Sequence, residues 1–388
     1  MASAYLSRTF ASPTNASKFT YSAWVKRSAL NSSYNLLFAN GGNSQNFANI
    51  MFNGSDNFFW HVLNSNSEVS KLTPNRKCRD TSGWYHLVFQ WDSTQATATN
   101  RTKMYINGEQ LTSFGTQTNT AQNTNYYMNT AVEHIIGAEK GNTGGSVGNY
   151  FDGEMAHVHF VDGTIYAPST FGETDATTGI WKPKTSPGIS TSNYGNNGFW
   201  LKFDNSGNMG LDSSGNSNNW TTSGTIIQNK DTPSNVFATL NTLGGLNGSA
   251  KGTYSNTNTT WVSSTTDQDA CNSTLPVNGG GGKYYCEMKC VSKTGGYYNP
   301  GVFSAVSSAY NSANPSVFVR SDGVIYNNGS QTQSGLASVS NGDIFGMAYD
   351  ASNATHTIQF YLNGSTYGSA ENITNAPGYS LFFGDGTN

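Results

Sequence analysis

Apolar and polar residues alternate along short segments of the chain, and turn-forming residues separate these segments. The alternation is clear in FTYSAWVKR from Phe19, and LLFAN, NIMFN and NFFWHVL follow from Leu36, Asn49 and Asn57. A period of two places successive side chains on opposite faces, so each segment predicts a β-strand with one face in a core. No window has the spacing of an amphipathic helix. The pattern therefore predicts an all-β protein.

A longer pattern occurs once in each half of the chain. Residues 83–108 (GWYHLVFQWDSTQATATNRTKMYING) and 342–364 (GDIFGMAYDASNATHTIQFYLNG) each predict a strand, an Asp-led turn, a second strand and a closing Asn-Gly. Asn-Gly favours tight hairpins because both residues tolerate positive φ. We expect two tandem antiparallel β-sandwiches.

A stretch rich in Pro, Gly and Thr, APSTFGETDATTGIWKPKTSPGIS, breaks the alternation between the two halves. We predict a first domain at 1–167, an extended linker with one or two strands at 168–235, and a second domain at 236–388. The chain stops at FFGDGTN, soon after an apolar strand. We therefore expect that the closing strand of the second sandwich is supplied by another chain or that the sequence is cut short.

The amino-acid composition argues against several classes of function. Charged residues make up 11% of the 388 residues, against roughly 25% in average soluble domains, and aromatic residues make up 13%. The net charge is −3, and the basic residues at 26–27 and 76–79 form no stripe, so nucleic acid binding is not expected. The chain has no signal-peptide core and no run of transmembrane length. We expect assembly in a cytoplasm without membrane insertion.

The four cysteines are expected to be reduced. Alternation in KYYCEMKC places Cys286 and Cys290 on one face of a strand, together with Tyr284 and Met288. Two cysteines four residues apart on a straight strand are too distant to bridge, so we predict free thiols that pack as small apolar groups. A disulfide between the two cysteines of polar loops, Cys78 and Cys271, remains open.

Several segments resemble known families. FTYSAWVKRS, GWYHLVFQWD, KMYINGEQL and GEMAHVHFVDG resemble the laminin-G-like, concanavalin A-type jelly roll, while GKYYCEMKC, SDGVIYNNG and the second repeat resemble a SPRY-type sandwich. The segments FVDGTIYAPSTFGETDATTGIWKPK, YGNNGFWLKFDNSG, LDSSGNSNNW and DTPSNVFATLN resemble a recurring block in structural proteins of marine tailed bacteriophages. This resemblance implies a virion protein, such as a tail-fibre, tip or capsid-attached adhesin. It implies no catalytic residues.

Because glucanases share the jelly-roll fold, a polysaccharide-degrading enzyme is an alternative. Retaining glycosidases need two carboxylates roughly 5 Å apart, and glucanases of this fold carry them in Glu-x-Asp-x-x-Glu. The sequence lacks that spacing; its nearest groupings are Glu133 with Glu139 and Asp152 with Glu154. Asp152 and Glu154 could share a strand face, but we interpret them as solvated acids of a strand-entry turn, and we expect no enzymatic activity.

Two patterns raise the question of a metal. His157 and His159 share a strand face and could ligate a cation, but no third ligand is near in sequence, so we expect half-exposed strand histidines. The loops 204–208 and 212–216 are rich in oxygen atoms but lack EF-hand spacing. Asx-turns explain both loops, and we predict no metal and no cofactor.

Two tyrosine pairs are the candidate binding residues. Tyr126-Tyr127 and Tyr297-Tyr298 lie in polar segments, where adjacent rings are not expected to face one core. Sugars bind exposed aromatic rings that are rimmed by polar groups, and aromatic residues are also enriched at subunit interfaces. We predict a ligand-binding or interface role for these four residues, with loop anchoring as an equal alternative.

These observations favour a non-enzymatic virion protein that presents loops to a glycan on the host cell surface. Its other expected partners are virion proteins and further copies of itself. A homo-oligomer, with a trimer favoured, is expected because an open last sheet edge invites pairing and fibres follow cyclic symmetry. The alternative within the virion is a purely structural decoration or cement protein without a receptor.

Overall fold

The computed structural model describes residues 3–30, 33–40, 42–140, 146–242, 252–263, 270–277, 281–293, 297–304, 316–373 and 379–386. The chain divides into two compact units, Met1–Phe237 and Ala238–Asn388. Antiparallel sheets dominate both units, which confirms the all-β prediction.

The first unit contains strands throughout its length. In chain order they are β1 (Tyr5–Thr9), β2 (Lys18–Arg27), β3 (Asn35–Asn40), β4 (Phe47–Phe52), β5 (Phe58–Asn64), β6 (Ser67–Pro74), β7 (Tyr85–Asp92), β8 (Thr102–Ile106), β9 (Glu109–Gln110), β10 (Phe114–Thr118), β11 (Glu133–Ile136), β12 (Glu139–Lys140), β13 (Val147–Gly148), β14 (Gly153–Asp162), β15 (Gly172–Thr174), β16 (Trp181–Pro183), β17 (Phe199–Leu201) and β18 (Thr221–Ser223). Short helices interrupt them at Ala98–Asn100, Pro168–Thr170 and α1 (Thr191–Tyr194).

Two sheets of the first unit enclose its core. The eight-stranded sheet has the order β10-β6-β5-β4-β3-β11-β1-β18, and the six-stranded sheet has the order β17-β14-β2-β7-β8-β9. Aromatic side chains from both sheets meet between them; the rings of Trp60 and Phe89 are 4.4 Å apart. The segment that begins at Phe19 therefore forms a strand with one face in the core, as its alternating pattern predicts.

The repeated pattern forms the same hairpin in each unit. Asn107 and Gly108 have φ values of 52° and 84°, and Asn363 and Gly364 have values of 51° and 80°. The side-chain oxygen of each Asn also accepts a hydrogen bond from the first strand of its repeat, from the backbone N–H of His86 (2.8 Å) or of Ile344 (2.9 Å). Asn-Gly thus closes both hairpins as predicted.

The stretch predicted as an extended linker, 168–235, lies instead within the first unit. Strand β17 pairs with β14, and β18 pairs with β1, so this stretch adds an edge strand to each sheet. Trp220 is buried in the core, 4.9 Å from the ring of Phe199. The stretch folds onto the sandwich because its scattered aromatic residues are buried there.

The same stretch also covers the outer face of the six-stranded sheet. Val88 and Val161 point outward from that sheet and are buried against Phe171, Tyr194 and Trp200, which all follow β14 in the chain. The protein itself therefore covers this part of the face.

The second unit is also built from strands. They are β19 (Thr253–Ser255), β20 (Thr260–Val262), β21 (Ala270–Asn272), β22 (Lys283–Lys289), β23 (Tyr297–Ser304), β24 (Ser316–Arg320), β25 (Val324–Asn327), β26 (Ser330–Gln333), β27 (Ile344–Asp350), β28 (His356–Leu362), β29 (Ser365–Ile373) and β30 (Tyr379–Gly386). The sheet β21-β30-β23-β24-β25-β26 and the sheet β22-β27-β28-β29 share a core that includes Val302, Ile325, Phe345 and Phe360.

The second sheet system corrects one expectation from the sequence. Strand β30 lies between β21 and β23 and pairs with both of them, so it is an interior strand. The predicted open edge after the last apolar strand is therefore not present, and β30 offers no pairing edge to another chain. The prediction failed because the short strand β21, around Cys271, was taken for a loop.

All four cysteines are free thiols. Cys78, Cys271 and Cys290 are buried and Cys286 is half-buried, so the predicted role as small apolar groups is confirmed. Burial raises the pKa of Cys78 to about 11. Within the described residues, no helix has the length and apolar composition that crossing a membrane requires.

Candidate functional site

A polar cleft of about 590 Å³ opens at one end of the first sandwich. Three segments meet there because their strands begin or end at the same end of the sandwich. They are the loop between β2 and β3, the turn between β4 and β5, and the residues just before β14. The cleft is lined by Ser33, Tyr34, Asn53, Gly54, Ser55 and Asn149.

The turn between β4 and β5 is held by Asn53. Its side-chain oxygen accepts hydrogen bonds from the backbone N–H groups of Ser55 and Asn57, both at 3.0 Å. Asp56 adopts φ +64°, a left-handed conformation that a short polar residue tolerates. The turn is therefore fixed by its own side chain, and Ser55 is held at the cleft.

Tyr34 supplies the aromatic surface of the cleft. Its side chain is 47% exposed, and its ring lies nearly parallel to that of buried Phe59, with 6.4 Å between centroids and 7° between planes. The contact with Phe59 orients the ring from the protein side. A large part of the ring remains open to solvent beside the polar groups of the cleft.

Asn149 forms the opposite side of the cleft. Its backbone has φ +49°, its carbonyl accepts a hydrogen bond from the N–H of Leu36 (3.1 Å), and its side-chain amide donates to Glu139. Glu139 also accepts from the side-chain amide of Asn49 at 2.7 Å. These contacts hold Asn149 beside the start of β3 and therefore close to Tyr34.

An ion-pair network supports this end of the sandwich. Arg27 donates to one oxygen of Asp56 at 3.0 Å, and Arg79 donates to the other at 2.9 Å. Burial opposes ionisation of Asp56, but the hydrogen bonds from Arg79 and Arg27 outweigh it and lower the pKa of this carboxyl. At the rim, the Lys77 ammonium donates to the carbonyl of Ser55 at 2.7 Å. The network fixes the floor of the turn, so the cleft is preformed.

The lining has the chemistry of a site for a neutral polar ligand. Hydroxyl and amide groups of Ser33, Ser55, Asn53 and Asn149 can donate and accept hydrogen bonds, and none of the lining side chains carries a charge. An exposed aromatic ring beside such groups suits a sugar, which has apolar C–H faces and hydroxyl edges.

The first predicted tyrosine pair packs against the core of the first unit. Tyr126 and Tyr127 are both half-buried against the core, so adjacent rings do contact one core here, contrary to the expectation. The ring of Tyr126 packs edge-on against Trp91 at 6.0 Å. The hydroxyl of Tyr127 bonds to the side-chain oxygens of Asn46 and Asn64, both at 2.6 Å.

The second pair lies on strand β23 and not in a loop. Tyr298 packs against the core of the second unit, and its hydroxyl donates to Asn341 at 3.2 Å. Tyr297 is half-buried, and the Arg320 guanidinium carbon lies 4.7 Å from the centre of its ring. None of the four predicted tyrosines lines the polar cleft. A binding or interface role for them stays a prediction.

The two histidines of β14 differ in exposure: His157 is half-exposed as expected, whereas His159 is buried. The pairing of β14 with β2 shifts register between Ala156 and His159, and His157 lies in this bulge with φ +47°. His159 is buried and its Nδ1 lies 2.9 Å from the Tyr194 hydroxyl; burial lowers the pKa of both histidines. In the part of the chain that the structure describes, no three His, Cys, Asp or Glu side chains are grouped closely enough to hold a metal ion.

The other acidic groupings have structural contacts. Glu133 pairs with Lys140 at 2.6 Å. Burial raises the pKa of Asp152, and Glu154 is buried, so the interpretation of Glu154 as a solvated acid is wrong. The two oxygen-rich loops form the predicted Asx-turns: the side-chain oxygen of Asn205 accepts from the N–H of Gly207 at 3.0 Å, and that of Asp212 accepts from the N–H of Ser214 at 2.8 Å.

Sequence reasoning missed Tyr34. The available signal was an aromatic residue flanked by Ser33 and Asn35, immediately before an apolar strand. A side chain at that point precedes the alternating pattern, so the pattern does not assign it to the core.

Comparison with known proteins supports the fold. Residues 2–170 match a family model described as the concanavalin A-like lectin/glucanases superfamily (Laminin_G_3). No curated protein matches the chain.

Among solved structures, domains LG4-5 of the mouse laminin alpha1 chain align over 98% of this chain and 78% of theirs, with 10% identity and a TM-score of 0.35. The SPRY domain of human HERC1 aligns over 32% and 79%, with 19% identity and a TM-score of 0.27. A heptameric SAP-like pentraxin from Limulus polyphemus aligns over 43% and 74%, with 17% identity and a TM-score of 0.32. The match to the family model therefore covers residues 2–170 and agrees with the antiparallel sheets of the first unit.

Proposed function

We propose that the first unit binds a glycan in the polar cleft, with the ring of Tyr34 stacking on the C–H face of a sugar. The observation that carries this proposal is the 47% exposed ring of Tyr34, set beside Asn53, Ser55 and Asn149. Hydroxyl groups of the sugar would exchange hydrogen bonds with these amides and hydroxyls. The match of residues 2–170 to a superfamily that includes lectins supports the same role.

The proposed role is binding without catalysis. The cleft lining carries no carboxylate, whereas glycosidase chemistry requires a pair of them beside the scissile bond. Phe171, Tyr194 and Trp200 cover Val88 and Val161 on the outer face of the six-stranded sheet, so this part of the face is not available to a polysaccharide. A turnover assay on the bound glycan tests this part of the proposal.

We also propose a setting for this binding: a tailed-phage virion, in which the chain attaches to a host surface glycan alongside other virion proteins and as a homo-oligomer. The support is the resemblance of segments within 160–241 to a recurring block of phage structural proteins. A purely structural role within the virion is the competing proposal, and the absence of glycan binding would favour it.

Binding to a glycan panel, measured by biolayer interferometry with the purified chain, tests the function. Tyr34→Ala is expected to weaken binding about tenfold or more, as for an aromatic residue at the centre of a contact. Tyr285→Ala is the matched control, because Tyr285 is 57% exposed and lies in the other unit, outside the cleft.

Each other outcome has a defined meaning. If Tyr34→Ala binds as well as the unaltered protein, the cleft is not the site. Loss of binding in Ala variants of Tyr126, Tyr127, Tyr297 or Tyr298 alone would transfer the site to the predicted pairs. Release of reducing ends from the bound glycan would contradict the non-enzymatic proposal.

A further inference from the structure

A lysine and an aspartate are in direct contact inside the first unit. The ammonium nitrogen of Lys26 lies 2.6 Å from Oδ2 of Asp231, and their side chains are 4% and 1% exposed. Lys26 belongs to β2, and Asp231 follows β18, 205 residues later in the chain. Most other ion pairs of the described residues, such as Lys18 with Asp92 (33% and 10% exposed), have at least one well-exposed side chain.

The position of Asp231 is fixed by the residues around it. Its second oxygen, Oδ1, accepts a hydrogen bond from the N–H of Phe237 at 2.8 Å. A β-bridge between Thr232 and Asn235 closes the turn that brings Phe237 back to the carboxyl group. The carboxyl carbon of Asp231 is therefore held in one place while Oδ2 contacts Lys26.

A third ionisable group lies beside the pair. Glu154 is directly opposite Lys26 in the register of β14 and β2, and it is 8% exposed. Side chains at directly opposed positions lie on the same face of a sheet, with Cβ atoms roughly 5 Å apart. Asn229, two residues before Asp231, donates from its side-chain amide to Glu154 at 3.2 Å, so the Glu154 carboxyl adjoins the segment that carries Asp231.

Conversion of the pair to an amide would remove two buried charges from the interior. A buried ammonium and a buried carboxylate each lose hydration, a cost that a neutral amide avoids. A neutral lysine amine is a nucleophile, and fixed contact with its target removes the entropic cost of encounter. A second carboxyl group beside them can relay the protons.

We propose that Lys26 and Asp231 form an intramolecular isopeptide bond, with Glu154 as the proton relay. The lysine ammonium gives a proton to the Asp231 carboxylate through Glu154, and the neutral Nζ attacks Cγ of Asp231. The Nζ–Cγ bond forms and the Cγ–Oδ2 bond breaks; Oδ2 takes a second proton from the nitrogen through Glu154 and leaves as water. An ammonium and a carboxylate thus become an amide and one water molecule, with no oxidant or other reactant.

The bond would join β2 to the end of the first unit. The stretch that follows β14, which covers the outer face of the six-stranded sheet, lies between the two linked residues. The linkage would therefore hold this stretch against the six-stranded sheet even when the two sheets are forced apart. This consequence is independent of glycan binding, because neither Lys26 nor Asp231 lines the cleft at Tyr34.

Mass spectrometry of the intact, denatured protein tests the proposal directly. The expected mass is that of the sequence less one water molecule. After trypsin digestion, acylated Lys26 resists cleavage, so residues 19–27 are expected to be linked to residues 231–251 in one peptide. An intact mass equal to that of the sequence, with the two peptides separate, would overturn the proposal.

Three variants define the chemistry. Lys26→Arg keeps the positive charge but removes the nucleophile, and its full sequence mass is expected. Glu154→Gln keeps the size of the side chain but not the proton relay, and we expect a mixture or a complete loss of the linked form. Lys18→Arg is the matched control, and the mass deficit should persist in it. A deficit that also persists in Lys26→Arg would show that the lost water came from elsewhere.

Discussion

Trp181 donates a hydrogen bond of 3.0 Å from its indole nitrogen to Nδ1 of His86. The opposite ring nitrogen of His86 lies 2.8 Å from the hydroxyl of Ser22. Since Nδ1 must accept, His86 is neutral and carries its proton on Nε2. The indole of Trp181 belongs to the stretch that covers the six-stranded sheet, and it packs against the α-carbons of Gly108 and Gly172, where a Cβ would lie within 3.1 Å and 2.6 Å of it. The stretch that carries Trp181 is thus hydrogen-bonded to the six-stranded sheet through a neutral histidine.

The first unit is expected to lose stability in mild acid. Burial lowers the pKa values of His86 and His134 to about 3, against an ordinary value near 6.5. Between these values the unfolded chain binds protons that the folded chain excludes, so stability falls as the pH falls. The slope is about 1.4 kcal/mol per pH unit for each histidine. Urea unfolding at pH 7, 6 and 5 measures it; equal midpoints at all three would contradict the prediction.

Removing the indole donor should make His86 easier to protonate. In Trp181→Phe an aromatic ring remains over Gly172 but Nδ1 of His86 has lost its donor, so we expect the pKa of His86 to rise. NMR titration of the ring protons measures this pKa. His134 is the internal control, because its Nδ1 bonds to the carbonyl of Val132 and its pKa should stay low. An equal rise at both histidines would indicate general loosening instead.

Asp162 is expected to be essential to the first unit. Its carboxylate is 1% exposed and accepts from the backbone N–H groups of Thr14 (2.7 Å), Asn15 (3.2 Å) and Asn197 (3.2 Å) and from the Asn129 amide (2.7 Å). Asp162→Asn would turn an NH₂ group toward two of these donors. We expect a loss of about 2–4 kcal/mol in the free energy of unfolding.

A matched variant separates this effect from loss of charge. Asp80 is exposed, and its Oδ1 accepts from the N–H groups of Ser82 and Gly83, a role that an amide oxygen can also fill. Asp80→Asn should therefore change stability by less than about 0.5 kcal/mol. Comparable losses in both variants would mean that the four hydrogen bonds donated to Asp162 make no special contribution to the free energy of unfolding.

The hairpin asparagines should contribute similarly in both units. Asn363→Ala removes the acceptor for the N–H of Ile344. It also places alanine at φ +51°, a backbone conformation that its Cβ atom disfavours. We expect a loss of about 1–2 kcal/mol. Asn363→Gly loses the same hydrogen bond without backbone strain, so the difference between the two variants isolates the strain. Asn107→Ala should behave alike, and equal stability of all three variants with the unaltered protein would contradict this account.

The strands and hairpins could be predicted from the sequence because their signals are local. Alternation around Phe19 and Asn-Gly at 107–108 each depend on a few neighbouring residues, and the structure confirms both. The stretch at 168–235 failed as a prediction because its contacts are distant in sequence. Trp220 and Phe199 meet a core whose other members come from earlier strands, and no period in the stretch itself indicates this.

The candidate site was only partly predictable for the same reason. Composition indicated an aromatic residue among amides and hydroxyls, but several tyrosines satisfied that description. Tyr34 is distinguished by the turn at Asn53 and by Asn149, which only the folded sheets bring beside it. The hydroxyl of Tyr127, in contrast, forms hydrogen bonds with Asn46 and Asn64. No local pattern in the sequence predicts these contacts.

The pairing of β1 with β18 has a consequence for synthesis on the ribosome. Arg8 donates to the side chain of Asn218, 210 residues later, and Tyr5 pairs with Ser223. One edge of β1 therefore remains unpaired until nearly all of the unit has been translated. Contacts so distant in sequence slow folding, so we expect nascent chains of this unit to need protection from aggregation.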